Sequence, residues 1–529
     1  MSRIARVILV VALAFGLAST PGHTAEAATY LPITGTGSTW SQNALDQWRK
    51  NVASNYGMTV NYSGVGSSAG RRDFIAGTVD FAVSEIPFQS RPEDGSAPES
   101  PKNGYAYMPI VAGGTAFMYN LQIGGKRVTN LRLSGEVIAK IFTGVITKWN
   151  DPAIKVDNPA LALPDKSITP VVRSDGSGST AQFTLWMSKQ QSGTWNAFCA
   201  KVGRPTPCGL TSQYPTFSGA KAQNGSLGVA GYVSQNYGEG AITYVEYSYA
   251  LKSGFPVAKV LNAAGYYVEP TAPAVAVALM KARINTTPGA DYLTQILDDV
   301  YASGDKRTYP LSSYSYMIVP TQVAGIFTEA KGNTLGAFTR YLLCEGQQQA
   351  AALGYSPLPM NLVLAGSDQI KRIPGAGAAG VDTAKCNNPT FKPGDSPANN
   401  QLAATAPQPP ECDKKGATQC ATGTGGAADT PTGGGGGANG DGGTEGDGTG
   451  GTGDGSTDGS GTDGGFGDGS GGGIAGSAQS KPFSLGDPGV GPTQWTMFAA
   501  AVLLVALIVL PPFISRRLRA SRGSGTREG

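Results

Sequence analysis

The chain has 529 residues, a formal net charge of +3 and 76 glycines, most of the glycine excess lying after residue 420. So small a net charge gives no global field to attract nucleic acid. The only histidine is His23, which falls in an N-terminal export signal. A Ser-His-Asp hydrolase, a histidine-ligated metal and a histidine general base are therefore excluded, and nothing in the pattern asks for a metal or cofactor.

In chain order, Arg3 and Arg6 precede an apolar run from Ile8 to Leu17 and the small residues ending Ala25-Glu26-Ala27. This is a secretory signal over 1–27, without a lipobox cysteine. A globular region follows over 28–395. Its apolar periodicity predicts helix over 41–52, strand over 58–62, helix over 71–76 and strand over 79–83. Strands are expected at 108–111, 115–119 and 168–173, then helix at 180–189. Strands at 241–249 and 314–319 and a helix at 335–343 complete the pattern. Alternating helices and strands give an α/β class.

Residues 396–490 are rich in Pro, then in Gly, Asp, Thr and Ser. This composition cannot bury enough apolar surface to fold and predicts a disordered tether with a root-mean-square span of about 50 Å. Its Gly-Asp steps lack the regular apolar position of calcium-binding repeats. Residues 495–514 form an apolar run of spanning length. Arg516, Arg517, Arg519 and Arg522 follow, so the tail 515–529 is expected on the cytoplasmic side and the folded part outside. The only Leu-Pro-x-Thr-Gly match, Leu31 to Gly35, is at the wrong end for a wall-sorting signal.

Six cysteines in an exported chain point to disulfides. Spacing favours Cys199 with Cys208 and Cys412 with Cys420, leaving Cys344 for Cys386, among the fifteen pairings six cysteines permit.

Three Gly/Ser/Thr loops each precede a helix: Gly35 to Trp40, Gly64 to Gly70 and Asp175 to Thr180. Helix N-termini carry unpaired N–H groups and partial positive charge, and glycine lets an anion approach the backbone. One such loop is ordinarily a plain N-cap. Three of them, with the planar fork of Arg173 beside the third, point to an anion site built without metal. The third loop lacks the lysine of a nucleotide-binding P-loop. Arg71 and Arg72 read as a solvated helix face, with enrichment of the second loop's positive potential as the other reading, and Trp149, Tyr244, Tyr247 and Tyr249 as packing residues.

Six blocks carry a resemblance: GTGSTW at 35–40, NYSGVGSSAG at 61–70, GTVDFAVSEIPF at 77–88, IFTGVITKWNDPAI at 141–154, VVRSDGSGST at 171–180 and GAITYVEYSYA at 240–250. Over residues 31–365 the chain resembles the phosphate-binding proteins that serve phosphate ABC transporters. The resemblance implies a two-lobed, periplasmic binding protein-like clamp with mixed sheets. Lobe 1 would combine 28–115 with 275–395, and lobe 2 would be 116–274. It implies inorganic phosphate as ligand and a phosphate ABC permease as partner, with no catalysis. The membrane would be reached through the C-terminal helix, with the clamp on its extracytoplasmic face.

The implied phosphate ligands are Thr39, the Trp40 N–H, Ser67, Glu85, Arg173, Ser177, Gly178 and Ser179, with Asp175 supporting Arg173. Glu85, Ser179 and Trp40 stand where Asp, Thr and Phe are common. A carboxylate facing an anion makes sense only if the anion carries a proton, as phosphate does and sulfate does not. The transmembrane anchor also departs from the family's habit, and leaves a surface interaction or sensor protein on the same clamp as the alternative.

Overall fold

The computed structural model describes residues 30–427, apart from 93, 94, 290 and 417. The expected signal peptide, the transmembrane helix, the basic tail and the tether beyond 427 lie outside the described residues. Among the described residues no helix is long and apolar enough to cross a membrane.

The first half-sheet is built from β1 (Ile33–Gly37), β2 (Val60–Gly64) and β3 (Phe81–Ser84), with β2 and β3 parallel to β1 on either side. Helix α1 (Gln42–Tyr56) joins β1 to β2. It buries Leu45, Trp48 and Val52 along one face and stops at Gly57, whose φ of 66° makes the left-handed cap that glycine takes without strain. Helix α2 (Ser67–Ala76) lies so close over β1 that a Cβ on Gly70 would stand 2.4 Å from the Gly37 Cα. Only glycine lets helix and strand backbones meet there.

Strand β4 (Tyr105–Tyr119) runs through both lobes. The sequence divides it in two because Gly113-Gly114 interrupts its apolar run, yet it is one strand. Its first part, through Gly114, pairs antiparallel with β9 (Ser312–Pro320). From Thr115 onward it pairs with β7 (Ala241–Glu246). The second half-sheet adds β5 (Thr169–Arg173), β6 (Lys221–Gln223) and β8 (Val257–Leu261). The path is β2-β1-β3-β9-β4-β7-β5-β6, within one mixed sheet of 11 strands. Parallel and antiparallel pairs in one curled sheet, with helices packed on it, give the α/β clamp.

Two large apolar cores flank the partner switch. Trp48, Val83, Met108, Met317, Phe338 and Val363 belong to the first; Phe117, Phe142, Phe183, Trp195 and Tyr244 belong to the second. Helix α6 (Ala272–Leu279), capped by the Thr271 side chain, is apolar all round. It serves both: Val275 and Leu279 enter the first core, Ala274 and Ala278 the second. Leu297, Val300, Tyr309 and Leu311 still belong to the second core. Residues 272–311 thus contribute to both cores, and the segment read from sequence as 275–395 of lobe 1 carries residues of the second core as far as Leu311.

Two further readings need correcting. The expected strand over 241–249 ends at Glu246, whose carboxylate accepts the Ser248 N–H and caps helix α5 (Tyr247–Ser253). The tether expected from 396 starts later, because residues 396–427 pack as a strap. Ala403 and Ala406 rest on Ala276 and Val277. Lys259 and Asp413 form a buried ion pair at 2.5 Å. Arg132 and Asn130 donate to the carbonyls of Cys412 and Cys420. Apart from the two alanines these anchors are polar, so a hydropathy reading misses them. The disulfides are Cys199–Cys208, Cys344–Cys386 and Cys412–Cys420, the pairing that spacing favours.

Candidate anion site between the lobes

The three loops meet. Helix α1 begins at Gln42, just past the first loop, whereas Ser67 and Gly178 open their helices within the second and third loops, the last being α3 (Gly178–Gln190). The second and third loops touch through their backbones: Ser68 N–H donates to the Gly176 carbonyl at 3.1 Å.

Glu85 lies at the end of β3 and is 1% exposed. Its Oε1 accepts hydroxyl hydrogens from Ser38 at 2.5 Å and Ser315 at 2.8 Å, and its Oε2 accepts one from Ser67 at 2.8 Å. Its carbonyl is held by Gln182 at 2.7 Å and Gln295 at 3.1 Å. A carboxylate offers about four acceptor sites, so these hydroxyls leave one open, on Oε2. That oxygen faces the first residue of α3: a Cβ on Gly178 would lie 1.8 Å from it. The Gly178 N–H reaches Ser67 Oγ at 3.1 Å. Ser67 thus joins the second loop to both the carboxylate and the positive end of α3.

Arg173, at the end of β5, is 2% exposed. Its Nε donates to Asp175 Oδ1 at 2.7 Å and its Nη2 to Asp175 Oδ2, a bidentate pair that fixes the guanidinium plane. Burial resists ionisation of Asp175. The Arg173 hydrogen bond and charge, with the Gly225 N–H, outweigh it and hold the carboxyl below its ordinary range. Nη2 also donates to Thr39 Oγ1 at 3.0 Å, across from one lobe to the other.

The remaining residues named from sequence take different positions. Ser177 Oγ caps α3 by accepting the Thr180 N–H at 3.2 Å. Ser179 Oγ is buried with no hydrogen-bond partner among the described residues. The Trp40 indole lies in the first core, edge-on to Tyr355, and its backbone N–H donates to Ser38 Oγ at 2.9 Å.

The sequence reading missed Ser38, Ser315, Gln182 and Gln295 around Glu85. It also missed a fourth loop, Asn224-Gly225-Ser226, which opens helix α4 (Gly225–Ser234). Ser226 Oγ shares a hydrogen bond with Thr39 Oγ1 at 2.8 Å and accepts from Arg173 Nη1 at 3.3 Å. The Asn-Gly-Ser step before a helical stretch is the same signal as the other three. Tyr249, read as packing, donates its hydroxyl to the Thr39 carbonyl. Ser315 carried no signal, since it sits inside an apolar strand.

Two lobes closed on a buried cluster of hydroxyls, helix N-termini, one fork-held arginine and one carboxylate define a solute-binding clamp. Residues 22–345 match the PBP superfamily domain. The chain is 34% identical over 345 residues to the phosphate-binding protein PstS of Xylella fastidiosa strain Temecula1, covering 65% of this chain and 86% of that protein. It is 32% identical to PstS of Haemophilus influenzae (63% and 90%) and 30% to PstS 3 of Mycobacterium tuberculosis (57% and 76%). The chain belongs to this PstS family of the PBP superfamily. Among solved structures it is similar to a phosphate-binding protein from Stenotrophomonas maltophilia, at 16% identity and a TM-score of 0.48, covering 66% of this chain and 99% of that one.

Proposed function

We propose that the chain is an extracytoplasmic binding protein that holds inorganic phosphate between its lobes for uptake by a phosphate ABC permease, and that it binds reversibly without catalysis. The observation that carries this reading is the open acceptor site on Glu85. Three hydroxyls point their hydrogens at the carboxylate, which leaves it acceptor-only at the floor of a donor-rich site. A protonated oxyanion supplies the missing hydrogen, whereas sulfate would bring lone pairs against a buried charge.

In this reading Arg173, braced by Asp175, provides the fork, with Thr39 beside it. The α3 terminus supplies the Gly178 and Ser179 N–H groups and the unpartnered Ser179 hydroxyl. Ser177 contributes through the cap it makes. The Trp40 N–H would reach the anion by leaving Ser38 Oγ. The three disulfides fit an oxidising, extracytoplasmic setting. Membrane anchoring rests on the sequence pattern alone and belongs to the same proposal.

Calorimetric titration of the anion-free, full-length chain with phosphate and then sulfate tests the reading. Saturable phosphate binding with sulfate silent is the expected outcome. Equal binding of both would remove the proton-reading role of Glu85. Silence with both would leave the surface-interaction alternative.

A further inference from the structure

Arg71 is not on a solvated face. It is 1% exposed and lies behind the turn that presents Glu85, while Arg72 beside it is exposed. Arg71 follows Ser67 by one helical turn on α2, so both side chains share a face. Side chains on a helix lean toward its N-terminus, which brings the guanidinium back over the first turn. There Nη2 donates to Ser68 Oγ at 3.3 Å, Nη1 to Ser84 Oγ at 2.9 Å and Nε to Glu99 Oε2 at 2.7 Å.

Ser68 and Ser84 are the chain neighbours of Ser67 and Glu85. Ser84 Oγ also donates to the Ile86 carbonyl at 2.7 Å and accepts the Ile86 N–H at 3.2 Å, closing a tight loop around Glu85. One planar group therefore spans both walls of the Glu85–Ser67 contact. Glu99 is 11% exposed at its side chain and also accepts the Gln89 N–H at 2.7 Å. The site then holds two compensated cations, Arg173 with Asp175 and Arg71 with Glu99, and the negative charge of Glu85.

Resting on the phosphate reading above, we infer that Arg71 is a positioning residue for the anion site. Its fork sets the spacing of Ser67 and Glu85, and Glu99 sets how much of its charge a bound anion feels. Lysine keeps the charge but not the planar fork, so the two contributions separate experimentally.

The test compares phosphate and sulfate isotherms and melting curves of the full-length chain for wild type, Arg71→Lys, Glu99→Gln and Arg71→Met/Glu99→Gln. The double variant removes both charges of the pair while leaving Gln89 an acceptor, a change that buried pairs tolerate in stability. It is expected to weaken phosphate binding by about tenfold or more, the scale on which outer supports act at other ligand sites. Arg71→Lys is expected to rescue that loss only in part. Glu99→Gln is expected to tighten phosphate binding, because Arg71 is then uncompensated.

Folded variants with wild-type isotherms for both anions overturn the inference and leave the phosphate reading standing. If the double variant does not fold, a wild-type phosphate isotherm for Arg71→Lys together with unchanged anion binding by Glu99→Gln overturns it equally. A wild-type chain that binds no phosphate overturns both readings at once.

Discussion

Glu85→Gln exchanges one oxygen of the carboxylate for an NH2 group and leaves the shape unchanged. The amide oxygen can occupy the Oε1 position, where it keeps the Ser38 and Ser315 hydroxyls. The NH2 then takes the Oε2 position, facing Ser67 and Gly178. There it presents hydrogens where the wild type presents an open acceptor. Phosphate loses a hydrogen bond to a charged acceptor, worth about 1.5–3 kcal/mol, so its Kd is expected to rise roughly 10- to 150-fold. Sulfate gains a donor in place of a repelling charge and is expected to begin binding. Calorimetry with both anions at neutral pH reads the two changes, and a melting curve confirms the fold. A folded variant that binds phosphate as wild type does and stays silent to sulfate would refute the argument.

Gly178→Ala would drive a methyl group into Glu85 Oε2 and to 2.7 Å from Ser67 Oγ. It is expected to destabilise the closed site by about 1–3 kcal/mol, seen as weaker phosphate binding; an unchanged isotherm would contradict this close approach. Ser315→Ala removes one of the three hydroxyl donors to Glu85 and is expected to cost about 1 kcal/mol, several-fold in phosphate Kd. Asp175 has its pKa depressed in the fold, so its contribution is present above the unfolded carboxylate value and is lost as pH falls through the folded one. Stability is expected to fall with acid below about pH 4, and Asp175→Asn should flatten that part of the curve when melting temperature is measured against pH. Truncation after Asp395 strips Asp413 from the buried Lys259. Breaking such a pair costs about 3–5 kcal/mol, and the lower melting temperature should be partly restored by adding Lys259→Met; no loss on truncation would mean the strap is not part of the folded unit.

The sequence by itself brought out many of the residues that cluster between the lobes, because its signals are local. A helix N-terminus favours Gly, Ser or Thr at its first positions, so the loops at 35–40, 64–70 and 175–180 could be read one at a time. Arg173 and Asp175 are two residues apart and pair directly. The disulfide Cys199–Cys208 closes across 9 residues and Cys412–Cys420 across 8, which left one pairing for the last two cysteines.

Tertiary structure decided what depends on strands distant in sequence. Ser315 reaches Glu85 only because β9 pairs with β3, Tyr316 standing opposite Ser84. Ser226 reaches Thr39 only because the lobes close. Arg71 carries the same charge and helical periodicity as a solvated arginine, and burial beside Ser84 and Glu99 separates the two. The strap at 396–427 is polar and rich in Pro and Gly. Its fixation comes from backbone carbonyls, one buried ion pair, a disulfide and a short alanine contact on Ala276 and Val277, none of which leaves an apolar period in the chain. Local propensity is set by near neighbours, whereas the surroundings of Glu85 are set by sheet pairing, which brings together residues hundreds of positions apart.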